Sequence, residues 1–351
     1  MRGLSNNGQR KHLRLNKPSI ALPLLTLPLI FAMADGGTSR EAPPESYSFD
    51  AGVKFLADAS ANWRAKQKCV TCHTNGWGLA AQPLVAPRSD EVNLGREFAQ
   101  GYLAGFLTGE VEPRGQYGSV EGMVATAAFL ALSDARTGSA VHETTRRGLD
   151  HAWDLLDESG TWEDWLQCNW PPFESDAEYG PTLMLVALGE LKGSAELTAA
   201  DTHGAQRLVK YLTGIEPVSL HAKAMRLWAA SYWPKALSSE TCQAWHKELL
   251  AARKEDGGWS MASLSGSGWQ RDGDEAQTET SEAYPTAFSI YVLLETGMPR
   301  TDEVAEAALR WLREHQREDG DWFTRSPRRD GKHYISRAAT AFALMALTEK
   351  K

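Results

Sequence analysis

From about residue 115 onward the chain alternates between two apolar patterns, with a period of roughly 55 residues. One pattern is apolar on nearly every side and opens near a threonine. It runs as Thr126-AAFLAL, Thr182-LMLVAL, Thr286-AFSIYVLL and Thr340-AFALMAL, and a looser relative, Ala224-MRLWAA, fills the gap between the second and third. Helices of this kind are buried on most of their surface. The other pattern is amphipathic, with charges on one face, over 143–157, 199–212, 240–254 and 302–317. The alternation predicts inner helices covered by an outer layer. Pro181 and Pro285 precede their threonines, in the first helical turn where proline is tolerated.

A second signature joins outer to inner segments. Ser159-Gly160-Thr161-Trp162, Glu255-Asp256-Gly257-Gly258-Trp259 and Glu318-Asp319-Gly320-Asp321-Trp322 each follow an outer segment. Glycine supplies the left-handed residue that ends a helix. The tryptophan two residues on is expected to fold back and seal that end. With no strand pattern between the helices, the expected fold is all-α: a helical solenoid or closed ring, read here as a single α/α toroid.

Gln316-x3-Gly320-x-Trp322, preceded by Ala307-Ala308-Leu309-Arg310-Trp311-Leu312, resembles the QW repeat of squalene–hopene cyclases. Their α/α toroid is shared with protein prenyltransferase β subunits. The resemblance covers about residues 118–348. It weakens at Arg253…Gly257-x-Trp259, and further at Gly160-x-Trp162, where Leu156 stands at the glutamine position. It implies a single toroid, because the chain is less than half the length of a two-domain cyclase.

Upstream of the repeats, residues 50–68 and 90–107 read as two helices, with an irregular segment between them marked by Gly76, Gly78, Pro83 and Pro87. Just after the first helix stands Cys69-Val-Thr-Cys72-His73, a C-x-x-C-H run. Two such thiols can add to haem vinyl groups, and the histidine then sits under the iron as an axial ligand. The run therefore points to a c-type haem held by Cys69, Cys72 and His73. Two other readings stay open: a small Cys69–Cys72 disulfide loop with Cys168 and Cys242 as a second pair, or a zinc site still short of ligands. No methionine lies between Ala34 and Met123, so a sixth iron ligand would come from the toroid, with Met123 and His142 as candidates, from a nearby nitrogen donor, or from nothing.

The first 34 residues bear on compartment. Arg2, Arg10, Lys11, Arg14 and Lys17 precede an apolar run of 16 residues that ends in Ala32-Met33-Ala34. This is the pattern of a secretory signal; the run is short for a membrane span and is broken by Pro23 and Pro28. The expected organisation is a signal peptide over 1–34, a flexible linker over 35–48, a helical C-x-x-C-H segment over 49–115 packing on the toroid, and toroid repeats over 116–351. Export to the periplasm or the outside is consistent with haem attached through cysteines, and a membrane is a partner only if the signal stays uncleaved. Without the five positive charges of the signal, 32 basic residues face 45 acidic ones, a net of −13. That balance argues against nucleic acid as a partner.

The activities that the resemblance implies lack their residues. Squalene–hopene cyclases protonate an alkene with an aspartic acid in a D-x-D-D-T-A run, whereas here Glu178-Tyr-Gly-Pro-Thr182, Glu282-Ala-Tyr-Pro-Thr286 and Arg337-Ala-Ala-Thr340 occupy those positions. The nearest imitation, Asp272-Gly273-Asp274-Glu275, lies in a Gly/Ser-rich loop, so Asp272, Asp274 and Glu275 are weak catalytic candidates. A prenyltransferase zinc set is not legible either. Cys242 reads as a buried small hydrophobe; His151 and His221 read as structural, and Lys223 with Arg226 as a thin case for a diphosphate site. The expected function is electron transfer or redox sensing through haem, with a redox protein as partner. The alternative is a terpenoid- or glycan-acting enzyme, or a binding scaffold. It would hold an apolar or sugar-like ligand in the hollow near Tyr179 and Tyr284, where Glu279 and Glu282 could join Asp272 and Asp274 as carboxylates.

Overall fold

Outer helices end the same way in three repeats, after residues 154, 251 and 314, and this ending organises the chain. The computed structural model describes residues 47–111, 118–162, 165, 170–173 and 175–349. Residues 1–46, which hold the expected signal and most of the linker, lie outside them, as does Cys168. Among the described residues the secondary structure is helical, with no strand.

Outer helices α1 (Phe49–Gln67), α3 (Asp90–Thr108), α5 (Glu143–Asp154), α7 (Ala199–Thr213), α9 (Ser239–Ala251) and α12 (Glu303–Glu314) alternate with inner helices α2 (Asn75–Val85), α4 (Gly118–Thr137), α6 (Tyr179–Ser194), α8 (Leu220–Tyr232), α11 (Ala283–Glu295) and α13 (Ile335–Leu347). A single helical turn, α10 (Met261–Leu264), interrupts the connection from α9 to α11. Each inner helix packs on the next, α2 on α4, α4 on α6, α6 on α8, α8 on α11, α11 on α13, and α13 back on α2. The ring is closed, an α/α toroid of six helix pairs.

Gly160, Gly257 and Gly320 all take φ near +90° (91, 93 and 91°). A Cβ at these positions would also press on the outer helix of the following repeat, 2.8 Å from the Arg207 carbonyl in α7 and 3.2 Å from Ala307 in α12. The indoles two residues on then reach back. Trp162 Nε1 donates to the Ala152 carbonyl at 2.9 Å, Trp259 Nε1 to Leu249 at 2.7 Å and Trp322 Nε1 to Leu312 at 2.7 Å. Each acceptor is the third residue from the end of its helix, one of the carbonyls a helix leaves unsatisfied. Two of the repeated threonines complete the joint, because Trp259 N–H donates to Thr286 Oγ1 at 2.9 Å and Trp322 N–H to Thr340 Oγ1 at 3.1 Å. Gln316 closes the ring. Its amide receives the Ser48 N–H and donates to the Ser48 and Gly320 carbonyls, each at 2.8–3.0 Å, tying the last repeat to the start of α1.

The segment over 49–115 supplies α1, α2 and α3, and α2 fills the sixth place in the inner ring. Residues expected to be irregular are therefore helical. Gly76 and Gly78 serve close packing here, not a turn: a Cβ on Gly76 would lie 2.5 Å from the Phe129 ring and one on Gly78 2.4 Å from Ser60 Oγ. Pro83 sits inside α2, near its end.

The inner helices run in one direction, and the ring axis is filled. Trp77 lies 4.4 Å from Phe342 and 6.0 Å from Trp228, and Phe288 and Tyr284 extend the cluster, all of them fully buried. At the end where the helices stop, Arg136 is buried beside Glu190. Its Nε donates to Glu190 Oε2 at 2.7 Å, Nη1 to the Ala80 carbonyl at 2.9 Å and to Met345 Sδ at 3.3 Å, and Nη2 to Tyr291 OH at 3.3 Å. One guanidinium thus joins α2, α4, α6, α11 and α13.

Replacing Trp322 or Trp259 by phenylalanine keeps most of the packing but strands the helix-end carbonyl. We expect each change to cost about 1–3 kcal/mol of stability, measured by urea unfolding, with similar values at the two positions.

Candidate functional site

Functional groups collect at the opposite end, the start rim, where the inner helices begin. Cys69, Cys72 and His73 stand there, on the turn that leads into α2. Asn75 fixes that turn, accepting the Thr71 N–H at 3.1 Å and donating to the Cys69 carbonyl at 3.0 Å. All three are buried, with 3, 1 and 8% of their surface exposed. The His73 ring packs against Trp170 and Tyr334, with centroids 5.8 and 5.7 Å away and those two rings 5.9 Å from each other, and Trp63 meets it edge-on at 5.9 Å.

This surrounding decides how well a haem fits. A porphyrin bonded to both sulfurs needs a cavity of the size of a cofactor site, several hundred Å3. The cavity that reaches Val70 and Asn75 has room for about one water, 10 Å3. As packed, the residues do not fit the group: Trp170 and Tyr334 would have to part from the histidine. Of the two candidate sixth ligands, Met123 is buried in α4, and His142 caps α5 in the outer layer, its Nδ1 taking the Thr144 N–H.

Charge surrounds the aromatic stack. The Arg328 and Arg329 guanidinia lie over the Trp170 ring at 5.4 and 5.5 Å, and Arg337 lies over Trp63 and Tyr334 at 5.1 and 5.5 Å. Asp272 pairs with Arg328 and Arg329 at 3.8 and 3.4 Å. The loop of Asp272, Asp274 and Glu275 therefore shares the rim with His73, linked to it through Trp170. Glu275 is held by Arg271 and Arg325, which also share Asp330. Asp272 and Glu275 thus serve to tie two rim loops together, while Asp274 is exposed beside them. Of the other carboxylates, Glu279 is exposed, 3.8 Å from Lys254 Nζ, and Glu282 is buried at the start of α11, accepting the Arg325 N–H.

Beneath the rim several polar groups pair with one another. Glu178 accepts from Arg226 Nε at 2.6 Å and from the Val218 N–H at 2.9 Å, so Arg226 belongs to a buried ion pair. Lys223 instead reaches Glu248 outside. His221 bonds Tyr284 OH at 2.9 Å and stacks on Phe288 at 4.4 Å; burial pulls its pKa down to about 3, which keeps it neutral. Tyr179 and Tyr284 are buried in the aromatic cluster. Cys242 sits half-buried on α9, and burial pushes its thiol up. No group of three His, Cys, Asp or Glu side chains converges as a metal site among the described residues.

One carboxyl at the rim was not singled out by sequence. Asp176 precedes α6 and keeps part of its surface exposed. Burial, with the Glu178 carboxylate nearby, pushes its pKa up to about 7, although its Oδ1 accepts the Glu178 and Tyr179 N–H groups at 3.0 and 2.9 Å. No motif marks it; the only signal is an Asx-type turn before an inner helix.

No family model matches the chain, and no curated protein does. Solved structures share the fold. A possible GH105 family member from Salmonella enterica subsp. enterica serovar Paratyphi A is 13% identical and superposes with a TM-score of 0.53, over 94% of this chain and 98% of that one. The type II terpene cyclase MstE from Scytonema is 13% identical with a TM-score of 0.53, over 86% and 96%. UGL with dGlcA-Glc-Rha-Glc is 13% identical with a TM-score of 0.50, over 86% and 96%. At these identities the likeness establishes the toroid and nothing about chemistry.

Asp176 gives stability a definite pH dependence. Its folded pKa exceeds the unfolded value of 3.8, so its contribution is fully present below about pH 4 and is lost as pH rises through about 7. We expect Asp176→Asn to unfold at higher urea than wild type at pH 8 and to lose that advantage at pH 4.

Proposed function

We propose that this protein binds and cleaves a saccharide at the start rim of its toroid, with Asp176 as the proton donor. The observation that carries the reading is the distribution of groups. The ring axis is packed with aromatic side chains, whereas the rim gathers aromatic faces, guanidinia and the half-buried Asp176, whose pKa burial raises to about 7. Aromatic rings offer flat apolar faces to sugar C–H groups, and a general acid works best with a pKa close to the working pH. Toroid relatives whose names point to glycans support the saccharide, and MstE keeps a terpenoid ligand as the competing substrate class. Asp272, Asp274 and Glu275 serve in this reading as ties between loops, and the basic-then-apolar first 34 residues support export.

Turnover separates these roles. On an oligosaccharide found by screening, Asp176→Asn is expected to lower kcat by about 10²–10⁴-fold with little change in KM, the range for loss of a general acid. Asp272→Asn and Asp274→Asn should keep most of the activity. Full activity in Asp176→Asn overturns the assignment.

A second reading keeps the covalent haem, and the five residues from Cys69 to His73 favour it. Because both cysteines are buried, attachment would have to precede folding. Expression in the periplasm of a haem-maturing host, followed by a pyridine haemochrome spectrum, decides it: a colourless protein removes haem, and a haemochrome band assigns electron transfer or redox sensing to the Cys69–His73 turn.

A further inference from the structure

Arg337 stands in the first turn of α13, where the helix dipole disfavours a cation. Its guanidinium is more than half enclosed, flanked by the Trp63 and Tyr334 rings, and its Nη1 is buried with no hydrogen-bond partner. Burial pulls its pKa below the usual arginine value, and the Tyr334 hydroxyl is the sole group acting against that. Arg136, Arg146, Arg226, Arg271 and Arg325 all have carboxylates. Among the described residues Arg337 has none. A buried cation without a counter-ion is costly, and proteins keep one where something else supplies the charge.

Three features place that missing anion on the ligand. The guanidinium lies at the start rim beside the Trp63, Tyr334, His73 and Trp170 stack, and Arg328 and Arg329 hold the far end of that stack. All six inner helices point their N-terminal, partly positive ends at the same rim, which favours negative charge there. An aromatic face next to an unpaired arginine suits a sugar ring bearing an oxyanion, since guanidinium and carboxylate or phosphate pair in a planar fork.

We infer that Arg337 is the recognition residue for the anionic group of a saccharide ligand, a uronate carboxylate or a sugar phosphate. The inference rests on the rim being the saccharide site. Calorimetric titration of the full chain with cellobiose, cellobiouronic acid and inorganic phosphate tests it, alongside thermal melts of wild type, Arg337→Gln and Arg337→Lys. Cellobiouronic acid should bind at least ten-fold more tightly than cellobiose. Arg337→Gln should erase that preference while leaving cellobiose binding intact, and Arg337→Lys should keep part of it. Unliganded Arg337→Gln should melt at or above the wild-type temperature, because an uncompensated charge has been removed. A lower melting temperature with the preference intact overturns the inference in favour of a structural role. Equal binding of the two disaccharides overturns it and leaves the rim as a saccharide site. Phosphate binding that depends on Arg337, without binding of either sugar, overturns the saccharide and keeps the anion role. No binding by any probe removes both.

Discussion

The closed ring of like-directed inner helices is the constraint on which the rest of the molecule depends. Six helices pointing one way bring six partly negative ends together at one rim and six partly positive ends together at the other, each worth about half an elementary charge. At the negative rim the chain answers with Arg136, buried, paired with Glu190 and bonded to three further inner helices. Glu190 outweighs the cost of burial and raises the pKa of the guanidinium. A cation there neutralises the converging carbonyl ends and holds the ring to one size. At the positive rim the carboxylates of Glu178 and Glu282 are buried at the starts of α6 and α11, Glu178 against Arg226, whereas Arg337 puts a cation at the start of α13 with no carboxylate beside it among the described residues. In the proposed reading that position is where an anionic ligand is received.

Filling the axis has a second consequence. Trp77 stacks on Trp228 and meets Phe342 at a tilt, while Trp228 and Phe288 meet Phe342 edge to face; these arrangements suit aromatic quadrupoles and close the hollow. A toroid packed in this way leaves its axis to side chains. Its usable surface moves to the rim, where connections from different repeats meet. There the loop around Trp170 touches the turn at His73, the start of α13 and the arginines that precede it. Function in such a ring is a matter of what the connections carry, while the helices hold them at fixed spacing.

The repeated parts of the fold were legible because each repeat states the same physics. Glycine and tryptophan recur at a fixed offset, and in three repeats the indole makes the same bond to the end of the outer helix, joined by the threonine in two of them. The sixth pair was not legible as a repeat. In α2 the glycines at 76 and 78 and the proline at 83 look like loop punctuation, and only the presence of Phe129 and Ser60 against them shows that they allow close approach. The candidate site divides along the same line. Cys69, Cys72 and His73 are adjacent in sequence and could be read as a group. Asp272 and Glu275 were visible as acids, but apart from Arg271 their arginine partners come from a later connection. Asp176, Trp170 and Arg337 carry no motif, since what distinguishes them is the company that the fold gives them.

That contrast bears on how the C-x-x-C-H turn is to be understood. A motif read alone specifies what its side chains could bind, and its surroundings specify whether anything has room to bind. Here the imidazole packs against Trp170 and Tyr334, rings from two distant parts of the chain, and both cysteines are buried. The same stack presents Trp63 and Tyr334 to Arg337 and Trp170 to Arg328 and Arg329. His73 thus belongs to an aromatic cluster whose other members, Trp63, Tyr334 and Trp170, meet guanidinia. Removing the imidazole would loosen the cluster that positions the arginines, so in the proposed reading the turn supports recognition at this rim whether or not its sulfurs ever carry a cofactor.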